Sequence, residues 1–310
     1  LIRAIVDHPD GFTGEVVVCE NAQAYSIRNF DRTLNNAEDR ARSPPRVVEH
    51  FRSQGFAVSH YDWMTLKRWR VTEFADSDDE DGYVMLDATW YGRVTYPKFQ
   101  TEYGTAVSVK EGLWDPANER YDRNRLKFIN LPVLKPHSGE YGYGATACIK
   151  NYMGLVSNSL TNSHDFVGRG LMGAVLAEIG PADLNILDCI WTSYSPAWGP
   201  MVYYDGPVTR ADQLVASTDP IAADIWAVRN ILVPAFEMDG FPPEPLPRPS
   251  ADPEDPGSAF RIYIDNSMEP LLAAGFKVTN NFDAIDVIST NVSEPLPTRR
   301  RSGRRVRPEG

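Results

Sequence analysis

Short apolar runs alternate with segments of helical character along most of this chain, and this alternation constrains the fold more than any other feature. The runs are four to eight residues long and rich in Val, Ile, Leu and aromatic residues. Their hydrophobicity is nearly continuous, which is typical of strands buried on both faces of a parallel sheet. The predicted strands are Glu15–Cys19, Ala57–His60, Tyr83–Thr89, Leu126–Val133 and Leu184–Trp191.

Helices are predicted between several of these runs. The segments Pro45–Gln54 and Phe166–Ile179 each end at a glycine, which is a favourable C-terminal stop. The segment Pro220–Val233 has a clear start, because Asp219 can cap the free backbone amides and Pro220 has no N–H to leave unpaired. The alternation predicts an α/β layered domain with a largely parallel or mixed central sheet flanked by helices.

The chain of 310 residues is long enough for one large α/β domain or two small ones. We place an α/β core at residues 1–240 and a proline-rich excursion at Phe241–Gly257, where seven prolines in 17 residues argue against regular structure. Residues 258–293 are expected to form a helical extension that packs on the core, with a break near Pro270. Residues 294–310 are expected to form a disordered basic tail.

Composition excludes several classes of protein. The chain is 42% hydrophobic and 24% charged, as in ordinary soluble proteins, and no apolar run approaches the roughly 20 residues of a membrane helix. The net charge is −11, although the tail Glu294–Gly310 has six arginines and only two glutamates. Because the rest of the chain is acidic, a broad nucleic-acid surface is disfavoured, while the tail could still contact an anionic partner.

Three cysteines, Cys19, Cys148 and Cys189, are present, and no two have C-x-x-C spacing. Because this spacing is absent, zinc ribbons and ferredoxin-type iron–sulfur clusters are excluded in this chain. Cys148 is near Lys150 and could act as a nucleophile, although a buried thiol is the favoured interpretation. The chain begins "LIRAIVDHPDG", without a methionine, so we expect a missing N-terminal piece and leave the compartment open, with the cytoplasm as the default.

Polar residues near the carboxyl ends of the predicted strands define a candidate site. Glu20 follows the first strand, Lys135 and His137 follow the fourth, and Asp188 lies late in the fifth. Ligands of open parallel sheets bind outside the carboxyl ends of the strands, so these residues would converge if the strands are parallel neighbours. Together they could bind a divalent metal, hold an anion or transfer a proton.

Lys150 and Asn151 follow a glycine-rich loop whose backbone can approach a ligand closely. The spacing differs from G-x-x-x-x-G-K-[ST], because five residues separate Gly144 from Lys150 and asparagine replaces Ser or Thr. No G-x-G-x-x-G follows the first strand either, so triphosphatase and nicotinamide-dependent functions are unsupported. A phosphate or other oxyanion held by Lys150 and loop amides remains open.

Two further residues are candidates. His164 could join the loop site or simply begin the next helix. Asp224 lies beside Ile221, Ile225 and Val228 on the predicted buried face of its helix. A buried carboxylate must be paired or hydrogen-bonded, and a lysine from the loop is a candidate partner.

Four segments, "FINLPVLKPH", "IKNYMGLV", "ILDCIW" and "STDPIAADIWAVRNIL", occur in this order within roughly Ile2–Val233. This order resembles the domain of unknown function 362 family, in which a strand ending L-P-x-x-K-x-H, a K-N-x-x-G motif, an aspartate-bearing strand and an S-x-D-P-x-A-x-D helix recur. The resemblance implies a shared site at Glu20, Lys135, His137, Lys150, Asn151, Gly154, His164, Asp188, Gly199, Pro200, Asp219 and Asp224.

The chain departs from the family pattern in three respects. Cys19 stands where the family has a glycine before the strand-end glutamate. An earlier strand bearing a lysine and an asparagine is not seen, and neither are the ferredoxin cysteines and export signal that some members carry. The resemblance implies a common site without an established reaction.

The leading hypothesis is an enzyme that acts on a small anionic substrate, with or without a divalent metal. Lys135 and Lys150 would hold the anion, while His137 with Glu20 or Asp188 would transfer a proton or bind the metal. Further substrate contacts are expected from Asn151, Gly154, His164, Gly199 and Asp224, with Asp224 orienting a lysine. The alternative is a non-catalytic binding protein for an anionic metabolite or redox cofactor, and a third hypothesis is an interaction protein that uses the proline-rich segment and the arginine tail.

Overall fold

A computed structural model of the chain describes residues 1–21, 44–66, 69–76, 78, 80–137, 144–193, 208–238 and 248–291. Strands and helices are both present, so the predicted α/β class is confirmed. The strands are β1 (Val16–Glu20), β2 (Val58–Asp62), β3 (Arg70–Val71), β4 (Gly82–Thr89), β5 (Gly92–Gln100), β6 (Ala106–Ser108), β7 (Gly112–Asp115), β8 (Arg120–Asp122), β9 (Ile129–Asn130), β10 (Lys135–Pro136), β11 (Ala145–Thr146), β12 (Leu184–Ser193) and β13 (Val208–Ser217).

The helices include a short N-terminal helix, one helix before β12, one helix after β13 and a long C-terminal helix. The α-helices are α1 (Ile2–Val6), α2 (Pro44–Ser53), α3 (Cys148–Asn151), α4 (Asn158–Thr161), α5 (Leu171–Ile179), α6 (Pro220–Ala227), α7 (Val233–Met238), α8 (Arg248–Ala251) and α9 (Ala259–Ala273). Short 3₁₀ segments lie at Trp63–Leu66, Phe74–Asp76, Arg123–Arg125, Tyr152–Gly154, Ser163–Arg169 and Phe282–Ala284, and a π-helical turn at Val228–Leu232 joins α6 to α7.

The strands form mixed sheets. One sheet has six strands in the order β3-β4-β5-β6-β7-β8, and it is antiparallel apart from the β3–β4 pair. A second has the order β13-β12-β9, in which β12 is antiparallel to β13 and parallel to β9. The strands β1 and β2 form a parallel pair, and β10 and β11 form a short antiparallel ribbon.

The sequence predicted β1, β2, β4 and β12 in place, but it missed β5–β8 and β13. The strand β5 escaped detection because Thr95 and Lys98, which interrupt its apolar pattern, are both fully buried. Tyr83–Thr89 was predicted to be a parallel strand. This prediction is wrong for one of its two neighbours, because β4 pairs parallel with β3 but antiparallel with β5. The predicted strand Leu126–Val133 is reduced to Ile129–Asn130 and an isolated bridge from Val133 to β12.

The predicted start of α6 is confirmed in detail. One Asp219 oxygen, Oδ1, accepts hydrogen bonds from the amides of Ile221 and Ala222 at 2.9 and 3.0 Å. The other, Oδ2, accepts from the Thr279 amide at 2.8 Å and so ties the C-terminal segment to the same cap. The cap therefore satisfies amides that a helix start would otherwise leave unpaired.

The C-terminal segment differs from its prediction in two places. The helix α9 continues through Pro270 to Ala273 without the expected break, because Phe260, Tyr263 and Leu271 are all buried against the core. In the proline-rich segment, Arg248–Ala251 forms one helical turn where no regular structure was expected, while residues 241–247 lie outside the described residues.

One large hydrophobic core connects the sheets with α3, α5, α6 and α9, and a small second cluster lies under β1 and β2. The helices α5 and α9 approach so closely that a Cβ atom added to Gly173 would lie 1.9 Å from the Ser267 carbonyl oxygen. Glycine is therefore required at this crossing. Within the described residues, no helix is long and apolar enough to cross a membrane.

Candidate functional site

The β10–β11 ribbon places three candidate side chains on one face. Lys135 lies directly opposite Thr146 in the antiparallel register, and the His137 amide donates to the Gly144 carbonyl oxygen at 2.7 Å. Residues that are directly opposite in an antiparallel pair share a face, and so do residues two positions apart on one strand. Lys135, His137 and Thr146 therefore lie on the same face, whereas Pro136 and Ala145 lie on the other.

The short helix α3 carries Lys150 and is fixed by a buried carboxylate. Asp224, which is fully buried, accepts hydrogen bonds from the amides of Cys148 at 2.6 Å and Ile149 at 3.0 Å. Burial raises the pKa of the Asp224 carboxyl to about 7, and these amide bonds oppose the increase. The partners of Asp224 are thus these two amides and the Cys148 thiol rather than the lysine that the sequence suggested, and Asp224 orients Lys150 through the backbone.

An asparagine network, absent from the sequence-based prediction, supports Asn151. The Asn151 side chain donates to Asn130 Oδ1 at 2.7 Å, and Asn130 Nδ2 in turn donates to Asn185 Oδ1 at 2.9 Å and to the Cys148 carbonyl oxygen at 3.0 Å. Asn130 and Asn185 are buried in β9 and β12. The sequence signal for this network was the presence of asparagines inside otherwise apolar runs, because a buried side-chain amide requires hydrogen-bond partners.

His164 lies in the 3₁₀ segment Ser163–Arg169, which precedes α5. Its Nδ1 is 3.1 Å from Asn158 Oδ1, which also accepts a hydrogen bond from the His164 amide. Partial burial lowers the pKa of the imidazole, and the positive charge of Lys150 lowers it further. The Lys150 ammonium is therefore close enough to act on His164.

Lys135, His137, Lys150 and His164 form what we call the basic cluster. Lys150 is only 4% exposed, and burial together with the charge of Lys135 lowers its pKa to about 7. Burial lowers the pKa of His137 to about 3, with further contributions from Lys150, Lys135 and His164. At neutral pH the imidazoles are uncharged and Lys150 is close to half protonated, so the cluster can gain protons when a negative charge enters.

Glu20 and Asp62 lie at one side of the basic cluster. They are partners at the carboxyl ends of the parallel strands β1 and β2. The Glu20 side chain is accessible to solvent, yet the protein surrounds it closely enough to raise its pKa, against the opposing effect of Lys135. Asp62 raises the Glu20 pKa further through like-charge repulsion. Lys135 therefore acts electrostatically on both Glu20 and Lys150.

Gly154 connects Glu20 to the segment that carries Lys150. The Gly154 carbonyl oxygen accepts from the Asn21 amide at 2.8 Å, and a Cβ atom added to Gly154 would lie 3.6 Å from Glu20 Cγ. That distance is an ordinary contact, so the position tolerates a methyl group. The role of Gly154 is thus backbone contact with the end of β1.

The Asp188 backbone pairs with the segment that leads into Lys135, since its carbonyl oxygen accepts from the Leu134 amide at 2.9 Å and its amide donates to the Pro132 carbonyl oxygen at 2.8 Å. Asp188 lies in the middle of β12, and its Oδ1 accepts from the Ile190 amide at 2.9 Å, beside an irregularity in the β12–β13 pairing. Asp188 is not among the charges that shift the pKa values of Lys150, His137 and His164. Gly199 and Pro200 lie outside the described residues.

The remaining candidates for chemistry are less favourable. The Cys148 thiol is fully buried, and burial beside Asp224 raises its pKa well above the ordinary value, so it is not a thiolate at neutral pH. Across the described ranges, no three His, Cys, Asp or Glu side chains come together in an arrangement suited to a metal ion. The site is therefore built mainly from hydrogen-bond donors of the basic cluster.

Comparison with known proteins gives one family match. Residues 125–229 match the family model described as Domain of unknown function (DUF362), and this range contains the whole basic cluster and Asp224. No curated protein and no solved structure matches the chain. The chain is thus similar to this family over residues 125–229.

Proposed function

We propose that this protein is an enzyme that acts on a small anionic substrate bound at the basic cluster. The observation that carries the proposal is the position of Lys150, an almost fully buried lysine that shares its surroundings with Lys135 and two imidazoles. Burying a lysine beside a second cation is unfavourable in the empty protein. An anion placed among these groups would remove that penalty and would convert it into binding free energy.

The proposed roles differ for the two lysines. The charge of Lys135 acts on Glu20, Lys150 and His137, which suits it to orient the anion. Lys150, with a pKa of about 7, is matched to proton transfer near neutral pH. His137 is a weaker candidate for the general base than the sequence suggested, because its pKa of about 3 leaves it a poor proton acceptor in the empty site.

A non-catalytic binding protein is the second candidate. It is favoured by the composition of the basic cluster, in which all four members can donate hydrogen bonds. Such a site is better equipped to hold an anion than to divide proton transfer between an acid and a base. Turnover of any phosphorylated or carboxylated metabolite in a broad substrate screen would decide for the enzyme.

Isothermal titration calorimetry with inorganic phosphate and with acetate tests the anion site itself. Lys150→Met and Lys135→Met should each weaken binding of the preferred anion by roughly 10- to 100-fold, as expected for loss of a charge-assisted hydrogen bond. Lys127→Met is the matched control, because Lys127 is exposed and pairs with Asp183 at 3.0 Å. Equal affinities in all four proteins, or no binding of either anion, would refute the proposal.

A further inference from the structure

The Thr146 hydroxyl is a buried polar group that lacks a hydrogen-bond partner within the described part of the chain. Thr146 is 7% exposed, and its Oγ1 is shielded from solvent. A buried hydroxyl without a partner loses its hydrogen bonds to water without replacing them, and native structures leave few such groups. An orphaned hydroxyl therefore calls for an explanation, and one explanation is a ligand that supplies the missing acceptor.

The register of the ribbon directs this hydroxyl towards the basic cluster. Thr146 is directly opposite Lys135, and the two side chains share the face that also carries His137. Lys150 follows four residues later, on the helix that begins just after β11. Thr146 thus belongs to the same group of side chains by position, although it carries no charge and the sequence patterns do not mark it.

The first two amides of α3 are not available to an anion. The amides of Cys148 and Ile149, the first two of the helix, already donate to the Asp224 carboxylate. An anion at this site would therefore rely on side chains such as the Thr146 hydroxyl rather than on these two amides.

We propose that Thr146 donates a hydrogen bond to the phosphoryl group of the substrate and that the site takes phosphate monoesters rather than simple carboxylates. Five donors converge, namely Thr146 and the four members of the basic cluster. A carboxylate offers two oxygens and one charge, whereas a phosphoryl group offers three terminal oxygens and about two charges. This inference rests on the proposed function, because it specifies the ligand of the same site.

Calorimetric titration with inorganic phosphate and with acetate tests the inference. Wild-type protein should bind phosphate at least about tenfold more tightly than acetate. Thr146→Val removes the hydroxyl and keeps the shape, and it should weaken phosphate binding by roughly 10- to 100-fold. Thr146→Ser keeps the hydroxyl and should stay within about threefold of wild type. Thr146→Ala provides a second hydroxyl-free variant should valine impair folding.

Thermal unfolding separates a ligand contact from a structural role. Thr146→Val should be at least as stable as wild type without ligand, since it removes an unsatisfied buried group. Ser267→Ala is the control, because the Ser267 hydroxyl on α9 is also buried without a partner in the described residues and lies away from the ribbon. That variant should keep full phosphate affinity.

The outcomes distinguish the two proposals. Unchanged phosphate affinity in Thr146→Val and Thr146→Ala, combined with a large loss in Lys150→Met, would overturn the role of Thr146 and leave the anion site standing. Acetate binding as tight as phosphate would overturn the phosphoryl assignment in the same way. If phosphate affinity is insensitive to Lys150→Met as well, the proposed function fails together with this inference.

Discussion

Replacing Lys150 by methionine should stabilise the empty protein, by an amount that depends on pH. The lysine pKa falls from 10.5 in the unfolded chain to about 7 in the folded one. Each pKa unit corresponds to about 1.4 kcal/mol, so the burial of this charge costs at most about 5 kcal/mol at a pH below 7. Methionine has a similar length and carries no charge, so Lys150→Met removes this cost.

The sign of the pH dependence follows from proton counting. Between about pH 7 and pH 10 the unfolded chain binds the Lys150 proton and the folded protein does not, so wild-type stability rises with pH over this interval. Lys150→Met lacks this contribution. The difference in unfolding free energy between the two proteins should therefore shrink by about 1.4 kcal/mol for each pH unit above 7.

Urea unfolding followed by circular dichroism at pH 6, 7, 8 and 9 measures this difference. His137 and His164 have lowered pKa values and are neutral above pH 7 in both proteins, so the change with pH reports on Lys150. Lys127→Met serves as the control, because an exposed lysine should give a difference that is independent of pH. A flat difference between wild type and Lys150→Met from pH 7 to 9 would refute the claim that Lys150 titrates near neutrality.

Four further substitutions test the surroundings of Lys150 and the packing of α5. Lys135→Met should move the midpoint of the same pH profile above 7, because the charge of Lys135 lowers the Lys150 pKa; an unchanged midpoint would place Lys135 too far away to act. Asp224→Asn should lower the unfolding free energy by about 1–3 kcal/mol in urea titrations, since one of the two amides of α3 loses its acceptor. Gly173→Ala should lower the unfolding free energy by about 1–3 kcal/mol or more, because its Cβ would clash with the Ser267 carbonyl oxygen, whereas Gly154→Ala should be nearly neutral. Equal effects of the two alanine substitutions on the melting temperature would contradict the close approach of α5 and α9.

The sequence predicted features that depend on local chemistry. The cap at Asp219 and the end of α2 before Gly55 both follow from which residues can satisfy or terminate a helix, and both are present. The missed strands β5 and β13 depend instead on tertiary partners. Lys98 lies fully buried in β5 because Asp78 pairs with its ammonium at 3.7 Å and the Phe74 ring packs against it at 4.2 Å. A hydrophobicity pattern cannot anticipate such compensation.

In the candidate site, too, residues marked by local sequence were predictable, whereas residues that depend on tertiary pairing were not. Lys135, His137 and Lys150 were identifiable because they follow strand-like or glycine-rich segments, and the structure brings them together with His164 and Glu20. The position of Asp188 depended on the assumption that all strands end at one sheet edge, whereas β12 extends beyond it to Ser193. Thr146 was invisible because its significance arises from the register with Lys135, which is a pairing across a loop.

The most direct test of the central claim is the number of protons taken up when phosphate binds. Calorimetric titrations at pH 8 in two buffers of different ionisation enthalpy give this number, and most of the Lys150 side chains are neutral at that pH in the empty site. If the basic cluster binds the anion, wild type should take up about one proton per phosphate, and Lys150→Met should take up none. Phosphate binding without proton uptake, or uptake that persists in Lys150→Met, would contradict the account.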